Sequence, residues 1–330
     1  MSFLRSISQE ETPEFSSWSQ GEYAETNSLA VLKSNGTAIR WGSGVSGISD
    51  SLNSGGIVQL YGNSLGLKYD NSLVSFDYNE IANGLQNVRK VFSTESSFAA
   101  LRFDGSVVTW NKSGVLENTG WDSSSVEEHL NTGVIDIFST RSAFAALKEN
   151  GSVITWGDIR DGGYSDEVSE KLSSGVNKIY STNYAFAAVK DDGSVVTWGW
   201  DKKGGDPLYD WGGGAIGPIS STNGRYDFDA LDSDVIKIFS NDSVFAALKI
   251  DGSVVVWGYG NPGSFYTNSN NINFENIRDL IKQDVIHISA SSRAMAALKS
   301  DGSVITWGLK DDGGDSKSVS SLINSNVISI

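Results

Sequence analysis

The 330-residue chain has no cysteine, 4 prolines and 2 histidines. It therefore has no disulfide framework, no thiolate metal site and no thiol nucleophile. The two histidines, His129 and His287, lie far apart and do not compose a zinc site. His287 sits in a strand-like run where other copies of the same run carry Lys or Asp, and it reads as a strand residue. No stretch approaches the roughly 18 apolar residues of a membrane helix, so no membrane span is expected. The N-terminus lacks the long apolar segment of a conventional signal peptide, which leaves a cytoplasmic location or a non-classical export route. Positive charge is also scarce. With 25 Lys+Arg against 40 Asp+Glu the net charge is −15, which repels phosphate backbones and argues against a nucleic-acid partner. What the chain does have is 39 % hydrophobic residues and 36 glycines, enough for a sizeable core.

One block recurs. It reads Phe98-Ala-Ala-Leu-Arg-Phe-Asp-Gly-Ser-Val-Val-Thr-Trp110, and returns at Phe144 to Trp156, Phe186 to Trp198, Phe245 to Trp257 and Met295 to Trp307. Worn copies run from Leu29 to Trp41 and from Ser64 to Phe76. The anchoring aromatics are 35, 34, 46, 42, 59 and 50 residues apart, so the block is fixed while the connections vary. Self-similarity at such periods points to a propeller, solenoid or array. Within a block, two apolar runs flank Asp-Gly or Asn-Gly, the signature of a hairpin with a two-residue turn. Each Asp stands alone in its turn, too few oxygens for calcium. The paired alanines leave room for a neighbouring sheet, and the Trp or Phe fills the gap. A β-branched run upstream, such as Val134-Ile-Asp-Ile-Phe138, adds a third strand.

The last residues, Val327-Ile-Ser-Ile330, match the upstream strand of a copy, whereas the first copy lacks one before Tyr23. The expectation is an all-β fold: a seven-bladed β-propeller over residues 23–330, preceded by an extension over 1–22. The ring would be closed by the C-terminal strand completing the first blade.

The block resembles the repeat of the regulator of chromosome condensation family, in the wording of its bacterial branch. The matching residues are Ala146-Leu147, Asn150-Gly151, Val153 and Trp156-Gly157, with equivalents in the other copies. The resemblance runs from about residue 23 to the end and implies the propeller fold. Such blades serve exchange factors, ubiquitin-ligase accessory domains, toxin components and binding scaffolds. Two features depart from the family. Phe144 and Ala145 stand where the eukaryotic repeat has His, and Asp161-Gly-Gly, Lys203-Gly-Gly and Asp312-Gly-Gly replace Gly-Gln-Leu-Gly. No segment matches an exchange-factor wedge.

No positioned acid, base or nucleophile stands out, so no catalytic residue, cofactor or metal site is expected. Asp311-Asp312, Asp191-Asp192 and Glu127-Glu128 are adjacent pairs better suited to turns than to flanking a sugar. Gly212-Gly-Gly-Ala-Ile-Gly217 has no Lys-Ser/Thr behind it and reads as a loop. Aromatics outside the repeat are the remaining signal. Trp200, Tyr209, Trp211 and Tyr226 lie in the longest connection, Tyr259 and Tyr266 in the next, and Trp18, Trp121 and Tyr164 elsewhere. Exposed Trp and Tyr anchor protein interfaces and stack on sugars. The sequence thus points to a non-catalytic protein-recognition scaffold, with the recognition part of a bacterial toxin or surface system as its setting. A carbohydrate-binding, lectin-like propeller is the first alternative and a guanine nucleotide exchange factor for a small GTPase the second.

Overall fold

The structure, a computed structural model, describes residues 28–42, 55–61, 64–76, 80–112, 122–201, 204–205, 228–258 and 279–330. The extension over 1–22 and Tyr23 lie outside these residues. Seven antiparallel sheets follow one another along the chain. Among the described residues the first blade has two strands, β1 (Ser28–Leu32) and β2 (Ala38–Gly42). The next two hold β3 (Ile57–Tyr61), β4 (Leu65–Lys68) and β5 (Leu73–Ser75), then β6 (Val88–Ser93), β7 (Ser97–Arg102) and β8 (Val107–Asn111). The fourth has β9 (Val134–Ser139), β10 (Ala143–Lys148) and β11 (Val153–Gly157), and the fifth β12 (Val176–Ser181), β13 (Ala185–Lys190) and β14 (Val195–Gly199). The sixth has β15 (Val235–Ser240), β16 (Val244–Lys249) and β17 (Val254–Gly258), and the seventh β18 (Val285–Ala290), β19 (Ala294–Lys299) and β20 (Val304–Gly308).

The period-two alternation of each block sets its packing. Phe144 on β10 lies opposite Trp156 on β11, and their rings stack at 5.2 Å. The same pair recurs as Phe186–Trp198 and Phe245–Trp257. These rings pack on the alanines of the preceding blade: Ala99 and Leu101 of β7 share a core with Phe144 and Trp156. Ala143, Ala145 and Leu147 in turn receive Phe186 and Trp198. Close packing explains the invariant Ala pair, since a larger side chain would force the sheets apart.

The hairpin turn is one residue longer than the sequence suggested. Arg102 donates its N–H to Ser106 and Gly105 donates back to Arg102, enclosing a three-residue loop in which only the glycine, at φ 77°, is left-handed. The Asp that precedes the glycine needs no positive φ. Instead Asp104 accepts from both the N–H and the hydroxyl of Ser106, at 3.0 and 2.7 Å. The motif repeats at Asp70, Asn150, Asp192, Asp251 and Asp301. This is turn chemistry, and it accounts for the Asp-Gly-Ser wording.

The turn glycine also joins blade to blade. Its carbonyl accepts the first N–H of the next blade's leading strand, as in Val134 to Gly105 and Val235 to Gly193, both at 3.0 Å. A Cβ on Gly105 would lie 2.8 Å from the amide nitrogen of Gly133. Every leading strand starts after a left-handed residue: Gly56, Asn87, Gly133, Gly175, Asp234 or Asp284.

Among the described residues no closing strand is seen. Val327 donates to Gly302 at 3.0 Å, as every leading strand does to its predecessor, but Val327 to Ile330 pair with no described strand and Ile328 is 94 % exposed. Gly162 and Gly204 lie against Phe186 and Phe245 of the following blade, whereas a Cβ on Gly313 would meet nothing within 4 Å. At the other end Trp41 is 47 % exposed, against 1–4 % for Trp110, Trp156, Trp198, Trp257 and Trp307. No hydrophobic cluster of the described residues joins the first and seventh blades.

Two comparisons test this packing. Trp156→Ala is expected to cost about 3–5 kcal/mol in chemical denaturation and Trp41→Ala less than about 1. An equal loss from both would mean that the first blade is packed against the seventh in solution. Gly105→Ala and Gly133→Asn change residues of similar φ. The first is expected to cost at least about 2 kcal/mol, because strain and a backbone clash add. The second should fall within about 0.5 kcal/mol, as Asn and Asp hold that position in other blades.

Candidate functional site

The leading strands of successive blades lie next to one another from β6 to β18, and each turns into the hairpin through a short capped bend. Thr140 Oγ1 accepts from the Ala143 N–H, and Thr182 does the same for Ala185. In the sixth and seventh blades Asn241 and Ser291 take the same role for Val244 and Ala294. The residue after each cap is strung to the next blade by its backbone. Glu95 N–H donates to Arg141 O, Arg141 to Asn183, Asn183 to Asp242 and Asp242 to Ser292, at 3.0 to 3.1 Å. One layer deeper the Ser139 hydroxyl donates to Ser93 O and that of Ser181 to Ser139 O. These bonds hold the backbone in place and leave the side chains of the bend free to vary.

Those side chains compose a site. Arg141 Nε donates to Glu95 Oε2 at 2.8 Å, and its guanidinium also hydrogen-bonds Tyr184. Tyr184 meets the half-buried Trp200 edge-on at 5.5 Å, and the Trp200 N–H donates to Tyr184 O. The loop Ile159–Gly163 folds back over the same end. Its Gly162 carbonyl accepts from Trp198 Nε1, while Thr140 Oγ1 donates to Asp161 O. Burial, reinforced by the neighbouring Asp158 carboxylate, pushes the Asp161 carboxyl up to about 6 against the pull of Ser142 and Arg141. A second arginine, Arg293, pairs with Asp312 at 3.2 Å, and burial raises Asp242 beside them.

Next to this cluster a cleft of about 650 Å³ runs along β14. Tyr164, Trp200, Lys171, Asp201, Asp229 and Asp232 line it. Acidic residues and two aromatics therefore border the same space.

Of the aromatics singled out from the sequence, Trp200 is in this site and Tyr164 in its cleft. Tyr209, Trp211, Tyr226, Tyr259 and Tyr266 lie outside the described residues. Sequence reasoning missed Glu95, Arg141, Tyr184 and Asp161, which sit at ordinary turn positions. The available signal was the contrast between the Ser-Thr that precedes the bend in the third to fifth blades and the unlike residues that follow it. His287 lies on β18 with its ring edge-on to Phe239 at 5.4 Å, and His129 is in the one-turn helix Glu127–Leu130. Among the described residues no group of three His, Cys, Asp or Glu could hold a metal ion, and no helix is long and apolar enough to cross a membrane.

No protein-family model and no curated protein matches the sequence. Among solved structures the fold is similar to Prp20p from Saccharomyces cerevisiae, described with its binding to Gsp1p and histones. That likeness has 14 % identity and a TM-score of 0.42, over 87 % of this chain and 70 % of that one. Human WBSCR16 gives 16 % and 0.43 over 87 % and 76 %. The CRINKLY WD40 ectodomain of the Arabidopsis thaliana receptor kinase ACR4 gives 11 % and 0.37 over 87 % and 82 %. At these values the likenesses carry no argument about what the chain binds.

Asp161 gives a pH test. Its folded value near 6 exceeds the ordinary unfolded value of about 3.9, so between those limits the folded chain binds more protons than the unfolded one. The stability contributed at this position therefore falls as pH rises through that window, and the penalty is complete above about 6. Asp161→Asn is expected to melt above the unmodified protein at pH 7, by on the order of 2 kcal/mol, and to match it near pH 4. A difference that does not change with pH would contradict the burial of an ionisable carboxyl there.

Proposed function

We propose that the chain is a non-catalytic protein-recognition propeller whose partner docks on the end bearing Arg141, Tyr184 and Trp200. The observation that carries this reading is the convergence of an arginine and a tyrosine from two successive bends with the tryptophan that follows β14, on a hydrogen-bonded backbone. Arg, Tyr and Trp dominate binding hot spots, and a rigid support lowers the ordering cost of association. Asp161 is turned in on Ser142 and Asp158, a position that supports the site more than it offers an acid to a substrate. The finer setting, a recognition component of a bacterial toxin or surface system, rests on the wording of the repeat. Ring closure belongs to the same reading, supported by the Val327–Gly302 hydrogen bond that starts a leading strand in register.

The test is retention of partner by the immobilised chain against an Arg141→Ala/Trp200→Ala variant. A loss of at least about tenfold in affinity, roughly 1.4 kcal/mol, is expected with an unchanged melting curve. Undiminished binding by a well-folded double variant would remove the site from this end. The cleft along β14 favours one second reading, a glycan ligand, because Tyr164 and Trp200 stand beside Asp201, Asp229 and Asp232. A glycan array with Tyr164→Ala as control separates the two.

A further inference from the structure

The loop Ile159–Gly163, with Asp158 ahead of it, is a strap that ties the fourth blade to the fifth. Its root is internal: Asp158 Oδ1 accepts the N–H groups of Arg160 and Asp161, and the Gly163 N–H returns to Asp158 O. Its tip is held by two other donors. Thr140 Oγ1 donates to Asp161 O at 2.8 Å, and Trp198 Nε1 of the fifth blade donates to Gly162 O at 3.1 Å. Gly162, left-handed at φ 99°, lies so close on Phe186 that a Cβ would come within 2.6 Å of the ring. Two hydrogen bonds and one ring contact thus keep the strap shut over the Phe186–Trp198 pair.

Asp161 is buried in this strap, and the charges about it do not balance. It faces Ser142 and Arg141 of the fourth blade's bend and Glu95 of the third's, with Asp158 behind it. Arg141 is already engaged by Glu95 at 2.8 Å and by Tyr184. The strands packed against the strap, β10, β11, β13 and β14, bring two further ionisable groups, Lys148 and Lys190. Both donate elsewhere, to His129 O and Lys171 O. Ionising Asp161 therefore gathers three carboxylates about one guanidinium. The corresponding straps avoid this. In the fifth blade the sequence places Lys203 at the same position, ahead of Gly204. In the seventh, Asp312 is answered by Arg293 at 3.2 Å. Arg293 holds the bend position that Ser142 holds in the fourth blade, since its carbonyl accepts from Leu309 as that of Ser142 does from Asp158. The scaffold can supply an arginine to this acid, and the fourth blade has a serine instead.

We propose that the strap is a pH latch, shut on Phe186 and Trp198 while Asp161 is protonated and released when Asp161 ionises and turns its carboxylate out to water. Burial, then Asp158, push this carboxyl up to about 6, against about 3.9 in water. The shut form is thus the proton-rich one, and it loses ground as pH rises through that interval. A carboxyl fully freed on opening would shift the balance towards the open strap by up to about a hundredfold between pH 4 and pH 7. Gly162 and Gly163 suit such local opening, which leaves the blades themselves intact. The strap lies beside Arg141, so its release changes the end of the blades proposed for docking, but the latch stands on its own contacts and not on that reading.

Hydrogen exchange of the full chain, followed by mass spectrometry and corrected for the intrinsic effect of pH, reads the latch through the amides of residues 158–163. Their protection is expected to fall at least about tenfold from pH 5 to pH 7.5. The hairpin from Phe98 to Trp110, which reports opening of the whole chain, and the seventh blade's strap over 310–314 should show no such fall. Asp161→Asn is expected to keep the high protection at both pH values. Ser142→Arg, which gives the fourth blade the arginine of the seventh, is expected to raise the protection at pH 7.5 with the acid still in place. The proposal is overturned by protection that does not change with pH in the unmodified chain, by an equal fall in Asp161→Asn, or by a fall shared with the Phe98 to Trp110 hairpin. A fall that Ser142→Arg leaves undiminished would also overturn it, since the missing countercharge would then not be its cause.

Discussion

The array depends on one contact, the carbonyl of a hairpin glycine accepting the first N–H of the next blade. Three constraints meet in that atom group. The hairpin needs a left-handed residue at the end of its loop, the next blade needs its first amide satisfied, and the two backbones approach too closely for a side chain between them. Glycine meets all three at Gly105, Gly151, Gly193, Gly252 and Gly302. In the second blade Asn71 takes the place at φ 61°, and Val88 still donates to its carbonyl. The contact fixes where each blade begins relative to the last, so the Phe–Trp pairs arrive opposite the alanines that receive them. The aromatic pairs are among the largest fully buried side chains, and their packing on the neighbouring blade depends on that register.

The two ends of the blades are then held by different means. At the turn end the links are these glycine carbonyls. At the other end they are the backbone chain from Glu95 to Ser292 and the buried serine hydroxyls beneath it. Both sets bond backbone or small side chains and make little demand on the residues that project outward. Such a scaffold separates folding from recognition, and loops on a rigid frame are where binding residues collect.

The repeat made the blades legible because the period-two alternation and the Asp-Gly-Ser turn are local, and the anchoring Trp recurs without exception in five copies. The length of the turn was misread because Asp-Gly suits a two-residue loop equally well. What separates the two is the Ser106 bond to Asp104, a contact no propensity encodes. The left-handed residue before each leading strand was visible as Gly, Asn or Asp ahead of a valine, but three residue types in one role do not read as a motif. The site was hidden for a different reason. Glu95 and Arg141 are 46 residues apart in ordinary bends, and only the succession of blades makes them neighbours. Trp200 was found because its composition is odd for its surroundings, whereas Tyr184 is one tyrosine in a strand-rich region.

Repetition also supplies its own control. Where five or six copies occupy one structural position, residues the scaffold requires stay the same, as Ala, Gly and Trp do. The bulged position of the leading strand holds Val58, Ile135, Ile236 and Ile286 in four blades and Arg89 and Asn177 in two, so the strand favours a β-branched residue there without requiring one. The same logic separates the bend residues: Glu95, Arg141, Asn183, Asp242 and Ser292 share a backbone role and no side-chain property. Comparing a chain with itself in this way separates the residues the scaffold requires from those on which it makes no demand.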